Sequence, residues 1–466
     1  MARFAISRRG FCASLAAGAA FGPRPLRAAE MPDLMAGPTS VQIAPEGYGK
    51  TNVWSYGGTI PGTPLHARQG ERLRRRLVNE LPVATSVHWH GIRIDNAMDG
   101  VAGLTQDPVA PGETFDYDFV LPDAGTYWYH AHTNSMEQVA RGLSGPLIIA
   151  EAASDAPDVD RDEVLMLDDW LLNPEDGQIV DNFDNAMTLS HGGRMGNLIG
   201  TNARYDYTLP VKTNERLRLR LINAANARIF GLRLEGVTGW TIALDGMPLE
   251  EPEPLTGPII LAPAQRIDLI IDVTADEGDT AGILRRDDED TWRPQAIFPV
   301  RGRASKSKRA APSALPPNLR MDMPNLADAR PLDLPMEGGA MGRMRGGRMG
   351  GGMMGARDLM QAGQFWSLAG QIGLDETPFA RLSRGEPARM KITNDTVFPH
   401  AMHLHGMHFR TIATDGTQGP MRDTVLVLPN EKIEIAFTAD NPGKWLFHCH
   451  VLGHAASGMT TWIDVT

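Results

Sequence analysis

Apolar and basic residues alternate from Glu71 to Asn79, and the same alternation returns from Glu215 to Asn223 and from Glu386 to Asn394, each time over eight steps. A period of two is the mark of a half-buried strand. A second element follows each copy: Pro111-Gly112-Glu113-Thr114-Phe115, then Pro263-Ala264-Gln265-Arg266-Ile267, then Pro429-Asn430-Glu431-Lys432-Ile433. Each leads into a further alternating stretch, such as Phe115, Tyr117 and Phe119. Repetition on this scale predicts repeated domains. We place them at 38–150, 151–300 and 360–466, with 301–359 as linker and insert. Strand-rich units broken by Gly and Pro predict an all-β chain of three tandem Greek-key sandwiches or barrels.

Composition agrees with this reading. The 466 residues exceed one hydrophobic core, and 49 Gly with 34 Pro favour short strands and many turns. The net charge is −11; residues 1–29 hold five of the 45 basic residues and no acid, which leaves −16 on the remainder and argues against nucleic acid as a partner. That basic start, Ser7-Arg8-Arg9-Gly10-Phe11, then an apolar run from Cys12 to Phe21 and small residues Ala28 and Ala29, resembles a twin-arginine export signal. It predicts delivery of a folded chain to the periplasm. Its apolar run is too short to span a bilayer, and no later run of eighteen exists, so no membrane span is expected. Two cysteines, Cys12 and Cys449, cannot make a disulfide framework. Removal of the signal leaves Cys449 alone.

The histidines keep register with the repeat. Nine residues after Asn79 stands His88, and nine after Asn394 stands His403; each opens a His-x-His pair followed by glycine, His88/His90 with Gly91 and His403/His405 with Gly406. Five residues after Gly125 stands His130 and five after Gly443 stands His448, opening His130/His132 and His448/His450. The middle unit has Leu232 and Leu234 where the first pair would fall, and reads as a spacer. On a strand, positions i and i+2 share a face, so each pair presents two imidazoles together. Lone His66, His191 and His408 are read as structural.

Eight imidazoles suit copper, zinc, iron or nickel, and a closed zinc site needs only four ligands. Cys449 narrows the choice. It lies between His448 and His450, on the opposite face of that strand, with His454, Met459 and His400 as further candidates. Two His, a thiolate and a weak Met describe a blue-copper electron-transfer site. The first unit has Ala131 and Thr85 where the third has Cys449 and His400, so only the third builds it. One strand thus serves two metal sites, separated by about 10 Å.

With these motifs the chain resembles a three-domain multicopper oxidase, the class of laccases, bilirubin oxidase and bacterial copper efflux oxidases. The resemblance spans 38–466 and rests on His88-Trp89-His90-Gly91, Tyr129-His130-Ala131-His132, the run from His400 to Gly406, and His448-Cys449-His450 with His454 and Met459. It implies three cupredoxin domains and four copper ions. Type 1 copper would be held by His400, Cys449, His454 and Met459, and type 2 by His88 and His403. The type 3 pair would be held by His90, His130 and His450 on one ion and by His132, His405 and His448 on the other. It implies electron uptake through the edge of His454, left near the surface, relay through Cys449, and reduction of dioxygen to water at the cluster. Asp99 matches an acidic residue that relatives place beside the cluster; Ala455 stands where some carry a Glu.

For the reductant, residues 336–360 hold seven methionines, Met336, Met341, Met344, Met349, Met353, Met354 and Met360, among glycines and four Arg. Thioethers are soft ligands for Cu(I), and the copper efflux oxidases carry a Met-rich insert here. Those relatives also place Asp and Met shortly before the first type 1 His, where this chain has Thr396 and Phe398, with Asp395 one step out of place. The leading expectation is an exported oxidase of Cu(I) and of phenols or aromatic amines. A laccase-like enzyme without a role in metal handling and a copper-sequestering tolerance protein are the alternatives.

Overall fold

The ends of the repeated alternation show why it recurs. Glu71, Glu215 and Glu386 each turn a carboxylate back to accept the backbone N–H three residues earlier, from Arg68, Lys212 and Ser383, at 2.9, 2.7 and 2.8 Å. At the other end Asn79, Asn223 and Asn394 each donate from the side-chain amide to the chain just ahead of the second element, at Val109, Leu261 and Val427. Each also accepts from the backbone two residues on, at Leu81, Ala225 and Thr396. The strand is thereby tied at both ends, each bond contributing about 1 kcal/mol. The second element repeats equally: Gly112, Ala264 and Asn430 all take left-handed backbone, with φ of 82, 71 and 60°.

The structure, a computed structural model, describes residues 31–466 apart from 153, 289 and 323; the export-signal expectation for 1–29 lies outside them. Each repeat builds two facing sheets. In the first, strands Thr51–Tyr56, Asp33–Val41, Arg72–Asn79 and Thr114–Val120 form one sheet, and Leu65–Arg68, Ser144–Ala150, Gly125–Ala131 and Val87–His90 the other. The middle unit has a six-stranded and a five-stranded sheet, and so does the third. Leu232 is fully buried in the core of the middle unit, where the other two carry imidazole. First and third sandwiches share one apolar cluster, which contains Leu77, Trp89 and Tyr129 together with Ile392, Phe409 and Trp445. Among the described residues no helix is long and apolar enough to cross a membrane.

The third sandwich begins earlier than 360. Strand Arg330–Gly338 pairs in parallel with Pro387–Asn394, so part of the expected linker is core sheet. Met336 is fully buried there, in the core of the sheet and apart from the exposed methionines Met341, Met353 and Met360. The rest of the insert is also folded, as the hairpin Gly346–Met349 and Gly352–Gly355 followed by the short helix Ala356–Gln361. Arg348, 3.1 Å from the buried carboxylate of Asp375, pins it to the sandwich.

Candidate metal centre

The ligand strands lie side by side in matched register. Val87–His90 pairs with Gly125–Ala131 so that His88 faces His130, and His400–Leu404 pairs with Gly443–Cys449 so that His403 faces His448. The first and third sandwiches bring these strands together and interleave their imidazoles. The His88 ring stacks on His405 at 3.9 Å and the His90 ring on His403 at 3.8 Å. All eight predicted cluster histidines meet in this one place.

Each ring has an outer and an inner nitrogen. His88 Nδ1 donates to the Asp99 carbonyl at 2.8 Å, His403 Nδ1 to the Asp423 carbonyl at 2.9 Å, His130 Nδ1 to the Ala131 carbonyl at 3.1 Å and His448 Nδ1 to the Cys449 carbonyl at 3.0 Å. His405 Nδ1 lies 3.0 Å from Asp99 Oδ2. Other ring nitrogens are left over: Nε2 of His88, His130, His132 and His403, and both nitrogens of His90 and His450, are buried without a hydrogen-bond partner, while Nε2 of His405 and His448 face each other at 3.1 Å. Buried polar atoms in such number are paired in native proteins, and a set of unpaired imidazole nitrogens held by outer-nitrogen acceptors is the arrangement of a metal site. Burial, with repulsion from neighbouring rings, holds His130, His132, His405, His448 and His450 well below the usual histidine range. They stand neutral, as ligands must.

Two glycines after the histidine pairs are required by space. Gly91 has φ 85°, and a Cβ there would overlap the Arg266 guanidinium and lie 2.7 Å from Asp423 Oδ2; Gly406 has φ 66°, with its missing Cβ aimed into the Trp445 ring.

Cys449 turns to the other side of its strand. Its Sγ lies 3.7 Å from His400 Nδ1 and from His454 Nδ1, and those nitrogens are 3.0 Å apart. One ion bonded at about 2.0–2.3 Å satisfies all three separations. Met459 is fully buried beside them, its carbonyl accepting from Cys449 N–H at 3.1 Å. Burial pushes the Cys449 thiol up to about 12, so a thiolate here needs a bound cation.

Some features of the site were not expected. Thr396 Oγ1 lies 2.8 Å from His400 Nε2 and fixes that ring, which gives this buried residue a supporting place. The edge of His454 is not near the surface: the residue is fully buried, and Nε2 donates to the His191 carbonyl at 2.6 Å. The short helix Ala186–Ser190 closes over it, with Trp366 Nε1 donating to the Leu189 carbonyl and the Trp366 ring 4.1 Å from His454. His191 was read as a structural residue, yet its backbone is the lid of the sulfur site. The middle unit is also more than a spacer, because it contributes this lid and Arg266. A recess of about 280 Å³ reaches His132 and His448, walled by Val101, Leu446, Leu452 and Ala455; the last puts a methyl group where some relatives carry a carboxylate.

Fold and site together define an all-β copper protein that pairs a Cys–His₂ site with a multi-histidine cluster. Multicopper oxidase family profiles match residues 38–154 and 353–466. Laccase-1 of Botryotinia fuckeliana is 30% identical over 450 residues, which cover 87% of this chain and 77% of that protein. Multicopper oxidase MmcO of Mycobacterium tuberculosis is 29% identical over 439 residues, covering 88% and 82%. The crystal structure of a multi-copper oxidase from Pseudomonas thermotolerans superposes with a TM-score of 0.80 at 32% identity over 93% of this chain and 98% of that one. The chain belongs to the multicopper oxidase family, whose members use four copper ions, one type 1, one type 2 and two type 3.

Proposed function

We propose that the protein couples one-electron oxidation of Cu(I) to the reduction of dioxygen to water, in the service of copper tolerance. The eight interleaved imidazoles, six of them with unpaired ring nitrogens, across one strand from the Cys449 site, carry the oxidase part. His400, Cys449, His454 and Met459 hold type 1 copper, and His88 with His403 type 2. His90, His130 and His450 hold one type 3 ion, and His132, His405 and His448 the other. Bound there, copper supplies single-electron uptake at one end and four-electron reduction of dioxygen at the other. Cys449 joins the two ends through its peptide neighbours His448 and His450. The recess at His132 and His448 admits dioxygen. Asp99, fully buried and with its Oδ1 lacking a hydrogen bond, stands beside the cluster as the residue that relays protons to it. Residues 1–29, as an export signal, would place this chemistry in the periplasm.

The lid over His454 favours Cu(I) over an aromatic reductant. A phenol needs contact with the imidazole edge, and the His191 carbonyl occupies that position. Around the lid lie exposed thioethers: Met187 and Met195 on the lid segment itself, and Met341, brought beside it where Ala340 N–H meets the Ser190 carbonyl at 2.6 Å. Oxygen uptake by the copper-loaded protein decides the matter. Cu(I) should support turnover, and Met187→Leu with Met341→Leu should raise its KM about 10-fold while leaving phenol oxidation unchanged. Uptake with a phenol and none with Cu(I) would make this a laccase-like enzyme. Uptake with neither, in a protein that is blue, would point to sequestration.

A further inference from the structure

Asp423 ends the chain's approach to strand Thr424–Val427, whose first residue faces His403 in the sheet. Its carboxylate is fully buried against three imidazoles. Oδ1 lies 3.4 Å from His90 Nε2 and 3.4 Å from His403 Nδ1, and Oδ2 lies 3.5 Å from His408 Nε2. His90 Nε2 has no hydrogen-bond partner, so the carboxylate meets it by charge and proximity. One guanidinium, that of Arg266 from the middle sandwich, grips both oxygens, with Nη1–Oδ1 at 2.8 Å and Nη2–Oδ2 at 2.6 Å. Arg266 is itself fully buried and fixed by the carbonyls of Asp245 at 2.9 Å and Thr126 at 3.2 Å. Thr424 Oγ1 donates to Oδ1 at 2.7 Å. The hydrogen bonds to the carboxylate thus come from Arg266 and Thr424, while the rings of two stacked histidines assigned to different coppers reach the same oxygen at 3.4 Å.

A carboxylate that accepts from the outer nitrogen of a ligand imidazole sets its tautomer, its orientation and its basicity. We propose that Asp423, clamped by Arg266, is a positioning residue shared by the type 2 ion and one type 3 ion, so that the middle sandwich, which supplies no copper ligand, sets the geometry of the cluster. The proposal rests on the ligand assignment above. A purely structural ion pair between sandwiches would use the same Arg–Asp bond but would have no reason to bring both His90 and His403 to one oxygen.

The test uses the four-copper holoenzyme and its Asp423→Asn variant. The amide keeps the size and shape of the carboxylate but presents one oxygen and no charge. The blue absorption and type 1 paramagnetic resonance should be unchanged, reporting an intact third sandwich. The parallel hyperfine splitting of type 2 copper should shift, and cluster copper should bind roughly 10- to 100-fold more weakly, with kcat reduced over the same range. A normal type 2 spectrum and unaltered copper affinity in the folded variant overturn the proposal. If that variant does not fold, Arg266→Lys decides: it keeps the charge and loses the two-pronged grip, and should shift the type 2 spectrum with the type 1 signal intact; a wild-type spectrum overturns the idea. If the unaltered protein itself shows no type 2 or type 3 copper, the ligand assignment fails first.

Discussion

His454 donates its Nε2 proton to the main-chain carbonyl of His191 at 2.6 Å, so the two histidines join different sandwiches through one ring and one peptide. The lid bearing His191 turns at Gly193, where φ is 84° and a Cβ would lie 2.6 Å from Val451 Cγ1 and 2.7 Å from Ala227 Cβ. Val451 caps the short helix that carries His454. Gly193→Ala should therefore push the lid off its seat. We expect kcat/KM for a substituted phenol to rise about 10-fold, equivalent to about 1.4 kcal/mol, at some cost in melting temperature. A phenol rate that stays flat or falls would show that the lid does not limit access.

Cys449→Ser should remove the blue absorption and bring oxygen uptake to background together. The cluster histidines keep their supports, so three of the four copper ions should remain by metal analysis. A blue protein, or sustained turnover, would show that Cys449 Sγ does not hold type 1 copper.

Asp99 touches two ligand rings, with Oδ2 3.0 Å from His405 Nδ1 and Oδ1 3.3 Å from His88 Nδ1. Asp99→Asn preserves an acceptor but cannot exchange a proton, so copper content should hold while kcat falls roughly 100-fold. Turnover in D2O distinguishes this from a packing defect: the solvent isotope effect on kcat should rise in the variant, and an unchanged effect at a uniformly lower rate would count against a proton-handling role.

The copper-free protein should be acid-sensitive. Burial first, then neighbouring imidazoles, lowers the affinity of His130, His405 and His448 for protons, and burial brings His454 to about 4. Below about 6.5 the unfolded chain takes up protons that the folded chain refuses. Stability is then fully present above that pH and is lost as pH falls toward 4, at about 1.4 kcal/mol per pH unit for each histidine that stays neutral. Thermal melts at pH 7.5 and 5.5 should show a large drop for the copper-free protein and a smaller one for the loaded protein. Equal drops would mean that metal and protons do not compete for the same nitrogens.

What could be read from the chain was whatever obeys a local period. Strand alternation located the His-x-His pairs, and the fixed offsets from Asn79 and Asn394 matched them across the first and third sandwiches. Arg266 sits inside the repeated second element, at the position of Thr114 and Lys432, yet nothing local says that its guanidinium leaves its own sandwich to reach Asp423, 157 residues away. The same holds for the lid, since the His454–His191 bond joins residues 263 apart. Strand Arg330–Gly338 was missed because Pro331 and Pro335 break its alternation and a glycine-rich run follows it. Thr396 was noticed only as a departure from relatives; its bond to His400 depends on a turn that the side chain of Asn394 shapes.

The cluster draws its histidines from 88–132 and 403–450, while the Cys449 site draws only on 400–459. A chain cut or stalled before the third sandwich holds four of the eight imidazoles and no sulfur ligand. Full copper loading is thus a report on the whole chain: it cannot be reached until the first and last parts of the protein have been made, folded and brought face to face.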